Sequence, residues 1–267
     1  MGSFMSEQKN GQTEFQSRMI NPGEFEPYLN QRLLDDTYPA SMLLKVLKKK
    51  IVRKISGGQF KDMEIGGVYN GLVVFDRQDL NGGGPALAMN ICRILLELGF
   101  ARVEKIYELC SGPAYIAYSL LANGFCEKIT LADINPAAVE VAKYTAKYNG
   151  VEDKVNIYLS DVLDQMPESE QFDIVVSNPP NALPNAATDT DIRAFDPDWI
   201  LHKKFYASIK RHMKPGGHVV MIEIVPGSTT DIFRPMIEAG GGTLVSDEKG
   251  RDIHGNLNGL YYIVSRW

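Results

Sequence analysis

Short apolar runs alternate along the chain with longer segments whose apolar residues recur at helical spacing. The pattern predicts helices at 85–99, 113–123, 136–149, 197–213 and 229–239. It predicts strands at 104–109, 127–133, 154–159, 172–177, 217–224, 243–247 and 258–265. Because strands that alternate with helices form a sheet covered by helices, we expect an α/β fold.

The part of the chain before residue 84 lacks this alternation. Residues 1–30 are polar with scattered aromatic residues, which indicates a loosely ordered arm. Residues 31–83 combine a basic amphipathic helix at 40–55 with a hairpin whose strands flank the turn Asn70-Gly71. We therefore predict three parts: the arm, an appendage at 31–83 that acts as a lid or docking element, and a main domain at 84–267.

The strand predicted at 172–177 ends at the sequence Asn178-Pro179-Pro180-Asn181, called the bracket below. Proline fixes φ and has no N–H group, and the residue before a proline is kept out of the helical region. The bracket is therefore rigid and presents two acceptors, the Asn178 side chain and the Pro179 carbonyl, at the carboxyl end of a strand. Open α/β sheets bind their ligands at this edge.

A second candidate site lies upstream, where a strand ends in the small-residue turn Cys110-Ser111-Gly112-Pro113-Ala114. Small residues let the backbone approach a ligand closely. The next strand ends at Asp133, 25 residues after Glu108, which is typical of an acid that accepts hydrogen bonds from ribose hydroxyls. Because Glu108 would repel a phosphate and suits a cationic amino group, the predicted ligand is S-adenosylmethionine.

Four motifs, in order and correctly spaced, make the sequence resemble the class I methyltransferases. They are Glu-Leu-Cys-Ser-Gly-Pro-Ala from residue 108, Ala-Asp-Ile-Asn-Pro-Ala-Ala-Val-Glu-Val-Ala from 132, Leu-Ser-Asp-Val-Leu from 159 and Val-Ser-Asn-Pro-Pro-Asn from 176. The resemblance covers roughly residues 60–267 and is most specific to the glutamine N5-methyltransferases of release factors and of a ribosomal protein. It implies a Rossmann-like fold with a mostly parallel seven-stranded sheet and a reversed last strand. It also implies that residues 84–267 bind S-adenosylmethionine and release S-adenosylhomocysteine.

The resemblance assigns cofactor contacts residue by residue. Glu108 is expected to meet the methionine amino group, Asp133 the ribose hydroxyls and Ile134 the adenine face. Asp161 is expected to accept from the adenine amine, with Val162 beside it. The turn and the bracket supply the other expected cofactor contacts: Cys110, Ser111, Gly112, Ala114 and Asn178. As alternatives, Asp133 could cap the following helix and Asp161 could cap a turn.

The bracket also carries the predicted chemistry. An amide or aryl amine nitrogen is a poor nucleophile because its lone pair is delocalised. Acceptors on both of its N–H groups, here Asn178 and the Pro179 carbonyl, would turn the lone pair toward the methyl group and stabilise the developing charge. The site therefore favours an –NH₂ group. Asn181 replaces the aromatic residue that is usual in this family, so there is little surface for stacking on a base, and a non-aromatic amide, guanidine or amine is favoured.

Further substrate contacts are predicted downstream. The expected substrate-binding residues are Pro180, Asn181, Arg193 and Glu223. The segment 182–196 is expected to form part of the substrate wall, although its charges, which include Asp189, Asp191 and Asp196, could equally be solvated. The four histidines show no triad or metal spacing. We predict that His202 and His212 lie on a helix surface and consider His254 as a pocket residue.

Charge and cysteine content limit the kinds of partner and ligand that the sequence predicts. The net charge of −5 makes nucleic acid an unlikely partner, although the basic helix at 40–55 could be either a solvated face or a docking patch. Cys92, Cys110 and Cys126 lack metal-ligand spacing, so we expect no metal, two buried thiols and, at Cys110, a wall residue. No apolar run reaches the length of a membrane span, which favours a cytoplasmic protein.

Several functions stay open from the sequence. The methyl acceptor could be a protein glutamine or an amino-acid-like small molecule, and the motifs do not choose between them. A nucleic-acid amino-methyltransferase is disfavoured by the charge and by Asn181. A non-catalytic cofactor-binding protein would be expected to carry a damaged turn or bracket, and both motifs are intact. The oligomeric state is not predicted.

Overall fold

The computed structural model describes residues 63–77, 80, 87–100, 102–181, 193–225, 227–251 and 256–267. The arm at 1–30, the basic helix at 40–55 and three of the candidate residues, Asp189, Asp191 and His254, lie outside the described residues. No helix in the described ranges is long and apolar enough to cross a membrane.

The described elements follow the predicted order. The strands are β1 (Met63–Tyr69), β2 (Leu72–Arg77), β3 (Val103–Leu109), β4 (Cys126–Asp133), β5 (Val155–Leu159), β6 (Phe172–Ser177), β7 (Met213–Ile224), β8 (Thr243–Arg251) and β9 (Leu257–Arg266). The α-helices are α1 (Leu87–Glu97), α2 (Tyr115–Ala122), α3 (Pro136–Asn149), α4 (Ile200–Ser208) and α5 (Thr230–Ala239).

The strands β3 to β9 form one sheet in the order β5-β4-β3-β6-β7-β9-β8. The strands β5, β4, β3, β6 and β7 run parallel, whereas β9 is antiparallel to both β7 and β8. The predicted α/β fold with a reversed last strand is confirmed. The strand order changes direction between β3 and β6, so the ligand crevice is expected at their carboxyl ends.

The predicted hairpin forms the separate two-stranded sheet β1-β2. Its turn residues Asn70 and Gly71 have φ values of 45° and 87°, as a two-residue hairpin turn of the primed type requires. The hairpin packs against α3, where the amide of Asn149 bonds both backbone groups of Val73 at 2.8 Å and the Thr145 hydroxyl accepts from the Phe75 amide. The hairpin is therefore held firmly on the main domain.

Alternate residues of each central strand enter two different cores. On β7, Val220 and Ile222 pack on the side of the sheet that α1 and α2 cover. Val219 and Met221 pack on the opposite side with residues of α4 and α5. This period of two places Glu223, the next residue in the second series, on the α4 side of the sheet.

The predicted helix at 197–213 is interrupted, and this correction bears on the site. A 3-10 turn at Pro197–Trp199 precedes α4, a second one at Ile209–His212 follows it, and β7 already begins at Met213. Asp198 and Trp199 adopt left-handed backbone angles, with φ of 55° and 57°, which the α-helix cannot accommodate. The apolar spacing does not reveal this break.

Candidate active site

The bracket is fixed between two strands of the central sheet. The Ser177 hydroxyl donates to the Leu109 carbonyl at 2.7 Å and joins the end of β6 to the end of β3. On the other side, the Asn181 amide donates to the Ile222 carbonyl of β7 at 3.2 Å. Asn178 is half-buried and Pro179 is buried. The Asn181 side chain, expected to face the substrate, thus anchors the bracket to β7.

The turn after β3 is strained as well as compact. Cys110, Gly112 and Ala114 have φ values of 52°, 50° and 62°. A left-handed conformation of a residue with a side chain costs roughly 1–2 kcal/mol, and only Gly112 escapes that cost. Hydrogen bonds hold the turn: the Ala114 amide donates to the Ser111 carbonyl, and the Ser111 amide to Ala132. Such strain is typical of functional loops.

Asp133 connects this turn to the end of β4. Its Oδ2 accepts from the Gly112 amide and its Oδ1 from the Asn135 amide, both at 2.8 Å. Burial raises the pKa of Asp133, and these amide hydrogen bonds oppose the shift. The cap of α3 is Asn135, whose side chain accepts from the Ala137 amide, so the alternative that Asp133 caps this helix is wrong.

Two apolar side chains lie in solvent at the carboxyl ends of β4 and β5. Ile134 is 55% exposed and Leu159 is 50% exposed. Both residues lie at the edge where a ligand is expected, near Asp133 and the small-residue turn. Their apolar side chains form a suitable surface for a flat ligand such as adenine. The family resemblance predicts that Ile134 makes this contact.

Glu108 lies buried beneath the turn. Its Oε2 accepts from the Ala117 amide in the first turn of α2 at 2.7 Å. Burial raises the pKa of Glu108 to about 8, although the amides of Ala117 and Ile116 oppose the shift. Around pH 7 this side chain is therefore a neutral acid, and a nearby cation would favour its ionised form.

Asp161 and Val162, after β5, differ in their surroundings. The Asp161 carboxylate is exposed and forms an ion pair with Lys204 at 2.6 Å. Val162 is buried, with φ of 56°, and its carbonyl accepts from Tyr107 at 3.3 Å. Val162 thus helps to build the wall beside β5, while the Asp161 side chain is directed to α4.

The charges of several acidic side chains act on the thiol of Cys110. Burial raises its pKa well above the ordinary value, and the charges of Asp133, Asp196 and Asp161 add to the shift. A thiol in these surroundings is a poor nucleophile, because the thiolate is disfavoured. This agrees with the interpretation of Cys110 as a wall residue. Cys92 and Cys126 are buried free thiols, as predicted.

The prediction that His202 and His212 lie on the surface is wrong, because both side chains are fully buried. His212 Nδ1 lies 2.9 Å from the Glu170 carbonyl, at the far end of the helix. His202 Nδ1 lies 2.6 Å from Asp196 Oδ2, and its Nε2 lies 2.9 Å from Glu223 Oε1. The helical spacing of 197–213 contains no information on these distant partners. It therefore could not reveal that the two histidines are buried.

The two predicted substrate residues Glu223 and Arg193 differ in burial. Glu223 lies at the end of β7 and is fully buried. Its Oε2 makes no hydrogen bond of good geometry among the described residues, although the nearby Ser228 hydroxyl also lowers the pKa of this carboxyl. Burial raises the pKa of Glu223, while the bond from His202 opposes the shift. Arg193 is exposed at the start of the described segment that leads to α4. The structure brings Glu223, but not the Arg193 side chain, into the buried part of the site.

Comparisons with known proteins identify similar sequences and a similar fold. The family model of the methyltransferase small domain matches residues 72–226. The release factor glutamine methyltransferase of Clostridium acetobutylicum is 29% identical over 128 residues, which are 43% of this chain and 44% of that protein. The protein of the same name from Cereibacter sphaeroides is 30% identical over 173 residues, 59% of this chain and 61% of its own length. The chain thus spans about half the length of the curated relatives it matches.

A solved structure with the same fold is the 16S rRNA N2 G1207 methyltransferase of T. thermophilus in complex with AdoMet and guanosine. Its TM-score is 0.54, with 16% sequence identity, and the superposed part covers 77% of this chain and 50% of that one. At this identity the likeness shows the fold alone.

Proposed function

The chain belongs to the methyltransferase small domain family, and from this premise we propose that it transfers a methyl group from S-adenosylmethionine to an –NH₂ nitrogen of a non-aromatic acceptor. The bracket is the observation that supports this proposal. We take the side-chain amide of a protein glutamine as the first candidate acceptor, because matched relatives carry glutamine methyltransferase in their names.

The residues at the carboxyl edge fit the cofactor. The turn at 110–114 and Asp133 form a rigid floor, exposed Ile134 offers an apolar surface, and Glu108 can neutralise a cationic amino group by ionising. Asp161 and Val162 are proposed at the adenine end. When bound, S-adenosylmethionine supplies the electrophilic methyl group.

The bracket then orients the acceptor nitrogen. Asn178 Oδ1 and the Pro179 carbonyl are proposed to accept the two N–H groups, which directs the nitrogen lone pair away from both acceptors. The bonds from Ser177 to β3 and from Asn181 to β7 hold these two oxygen atoms in place before the substrate binds. Such preorganisation lowers the barrier, because the protein does not have to rearrange as charge develops on the nitrogen. The nitrogen bonds to the methyl carbon as the sulfonium C–S bond breaks, and the methylated nitrogen, acidic once it is cationic, then releases one proton to solvent. No side-chain base is required in this scheme.

A small molecule with a neutral amino group and a second, cationic group is the second candidate, and a specific observation favours it. Oε2 of buried Glu223 could accept from the cationic group, while the neutral nitrogen keeps the lone pair that takes the methyl group. Pro180 and Arg193 stay proposals as substrate contacts, with Arg193 able to meet a carboxylate. A nucleobase is the disfavoured acceptor, because the non-aromatic Asn181 stands at the position where a stacking ring would be expected.

The proposal can be tested with methyl-labelled S-adenosylmethionine and a panel of acceptors. The panel contains glutamine peptides, the same peptides with asparagine, free amino acids and total RNA. We expect one product class with the label on an amide or amine nitrogen, located by tandem mass spectrometry. Label in RNA bases, or on oxygen or carbon, would contradict the proposal. Label on free amino acids alone would favour the second candidate.

A further inference from the structure

The described residues include a buried chain of three ionisable side chains, Asp196, His202 and Glu223, which we call the relay. Both ring nitrogens of His202 face carboxylate oxygens, at 2.6 Å and 2.9 Å. When both carboxyl groups are ionised their oxygens can only accept, so both ring nitrogens donate and His202 is an imidazolium. Burial alone would lower the pKa of His202, but the hydrogen bonds to Asp196 and Glu223 raise it to about 9.

The relay attaches residue 196 to the same end of β7 that anchors the bracket. Asn181 of the bracket donates to the carbonyl of Ile222. Asp196 accepts from the amide of Leu201 at 2.9 Å and binds the His202 ring, which binds Glu223. Residues 181 and 196 are thus attached to consecutive residues of β7, namely Ile222 and Glu223.

Fold stability alone does not account for this arrangement. Two carboxylates and one imidazolium leave a net negative charge in an apolar core, where the rings of Trp199 and Phe233 lie 5.3 Å and 4.8 Å from His202. A buried ionic triad is often less stabilising than apolar residues of the same volume. Asp198 and Trp199, between Asp196 and α4, also carry left-handed strain, roughly 1–3 kcal/mol each. Costly features at a ligand edge are typical of a functional role.

We propose that His202 is a positioning residue for methyl transfer: by bridging Asp196 and Glu223 it fixes the end of β7, where the neighbouring Ile222 carbonyl accepts from Asn181, and thereby keeps the bracket in the orientation that the acceptor nitrogen requires. The inference rests on the proposed function, because it assigns the bracket to the acceptor. It goes beyond that function because it assigns the orientation of the bracket to a buried histidine that does not touch the reacting atoms.

The first test compares His202→Gln with the matched variant His212→Gln. Glutamine has its donors on one nitrogen and an oxygen that only accepts, so it cannot donate from the positions of both ring nitrogens. His212 is equally buried but lies at the other end of the helix, against the Glu170 carbonyl. We expect His202→Gln to lower kcat for a methylated glutamine peptide by about tenfold or more and to change the Kd of S-adenosylhomocysteine by less than about twofold. His212→Gln should keep kcat even if its Tm falls equally.

An unchanged kcat in His202→Gln would overturn the proposal, and so would equal losses of kcat in both variants. A second measurement uses the wild-type protein and needs no acceptor, so it separates a failure of the relay from a failure of the –NH₂ specificity. It follows amide hydrogen exchange, corrected for the intrinsic rate, in peptides that cover 174–181, 193–202 and 209–213 between pH 7 and 10.5.

The titration has a defined sign. Because the folded pKa of His202 is raised, the relay's contribution is complete below pH 6.5 and is lost as the pH rises through about 9. The other titratable groups near Glu223 are Tyr206 of α4 and Tyr261 of β9, and burial raises the pKa of both phenols. The charge of Asp196 acts on the Cys110 thiol, whose pKa burial also raises. His202 is therefore the relay group expected to titrate near pH 9. Burial raises the pKa of Glu108, which pairs with Val176 of β6, to about 8, so the measurement is repeated on Glu108→Gln to remove its effect.

We expect protection of 174–181 and 193–202 to fall by about tenfold or more as the pH passes 9, while protection of 209–213 stays constant. Constant protection of the bracket through pH 10 would overturn the positioning role. Equal loss in all three peptides would also overturn it, because the relay would then support the fold as a whole rather than the bracket.

Discussion

The buried carboxyl of Glu108 makes the stability of this protein depend on pH in a direction that glutamates seldom show. Its pKa is raised from the ordinary value of 4.5 to about 8. Between these values the unfolded chain is ionised while the folded chain keeps the proton, so the free energy of unfolding falls as the pH rises. At about 1.4 kcal/mol per pH unit, this interval corresponds to about 5 kcal/mol, an upper bound for one group.

The perturbation is Glu108→Gln, which keeps an acceptor for the Ala117 amide and removes the titration. Urea unfolding of both proteins at pH 4.5 to 9 gives the difference in free energy of unfolding. We expect wild type to lose up to about 5 kcal/mol relative to the variant by pH 8, and the difference to be flat above it.

Glu104→Gln is the matched control, since Glu104 lies on the same strand but is exposed, and its hydrogen bond to Lys214 lowers its pKa. Because this variant keeps Glu108, its stability should fall with pH as that of wild type does, and the difference between the two should not change between pH 4.5 and 8. A difference between wild type and Glu108→Gln that is independent of pH would refute the reasoning, because Glu108 would then be ionised in the folded protein despite its burial.

Three further outcomes are expected. Asp133→Asn should weaken binding of S-adenosylhomocysteine by about 1–3 kcal/mol in calorimetry, since the acid holds the Gly112 amide and is proposed to meet the ribose; unaltered affinity would contradict that assignment. Burial raises the pKa of Glu170, but the hydrogen bond from Lys105 outweighs this and lowers it, so the ionised carboxylate stabilises the fold. Glu170→Gln should therefore lower the free energy of unfolding at pH 7 by about 1–3 kcal/mol without changing ligand affinity. Binding of S-adenosylhomocysteine near pH 7 should release protons, seen as a buffer-dependent enthalpy, as its ammonium ionises Glu108; Glu108→Gln should abolish the effect.

The local pattern was sufficient to predict most of the fold. The Asn70-Gly71 turn requires positive φ at both positions, so the hairpin could be located from two residues. The apolar runs that become β3, β4 and β6 are bounded by turns, which makes their positions readable. The reversed last strand was different, because the alternation of elements does not fix strand direction and only the family resemblance implied it.

Long-range polar contacts were beyond the reach of the sequence. His202 was predicted to be exposed, since neither the distance of Asp196 along the chain nor the direction of Glu223 on β7 can be converted into a contact before the fold is known. The sequence predicts Asn181 as a substrate contact, but its bond to the Ile222 carbonyl depends on strand pairing. Left-handed residues such as Trp199 also carry no local signature, because tertiary packing imposes them.

The central claim is that the bracket orients an –NH₂ nitrogen, and Asn178→Ala tests it most directly. The measurement compares single-turnover methyl transfer to a glutamine peptide with the affinity for S-adenosylhomocysteine, in wild type and in the variant. The account predicts a rate lower by about a hundredfold or more, as expected for the loss of one preorganised contact, with cofactor affinity changed little. A variant that binds the cofactor and transfers the methyl group at the wild-type rate would contradict the account.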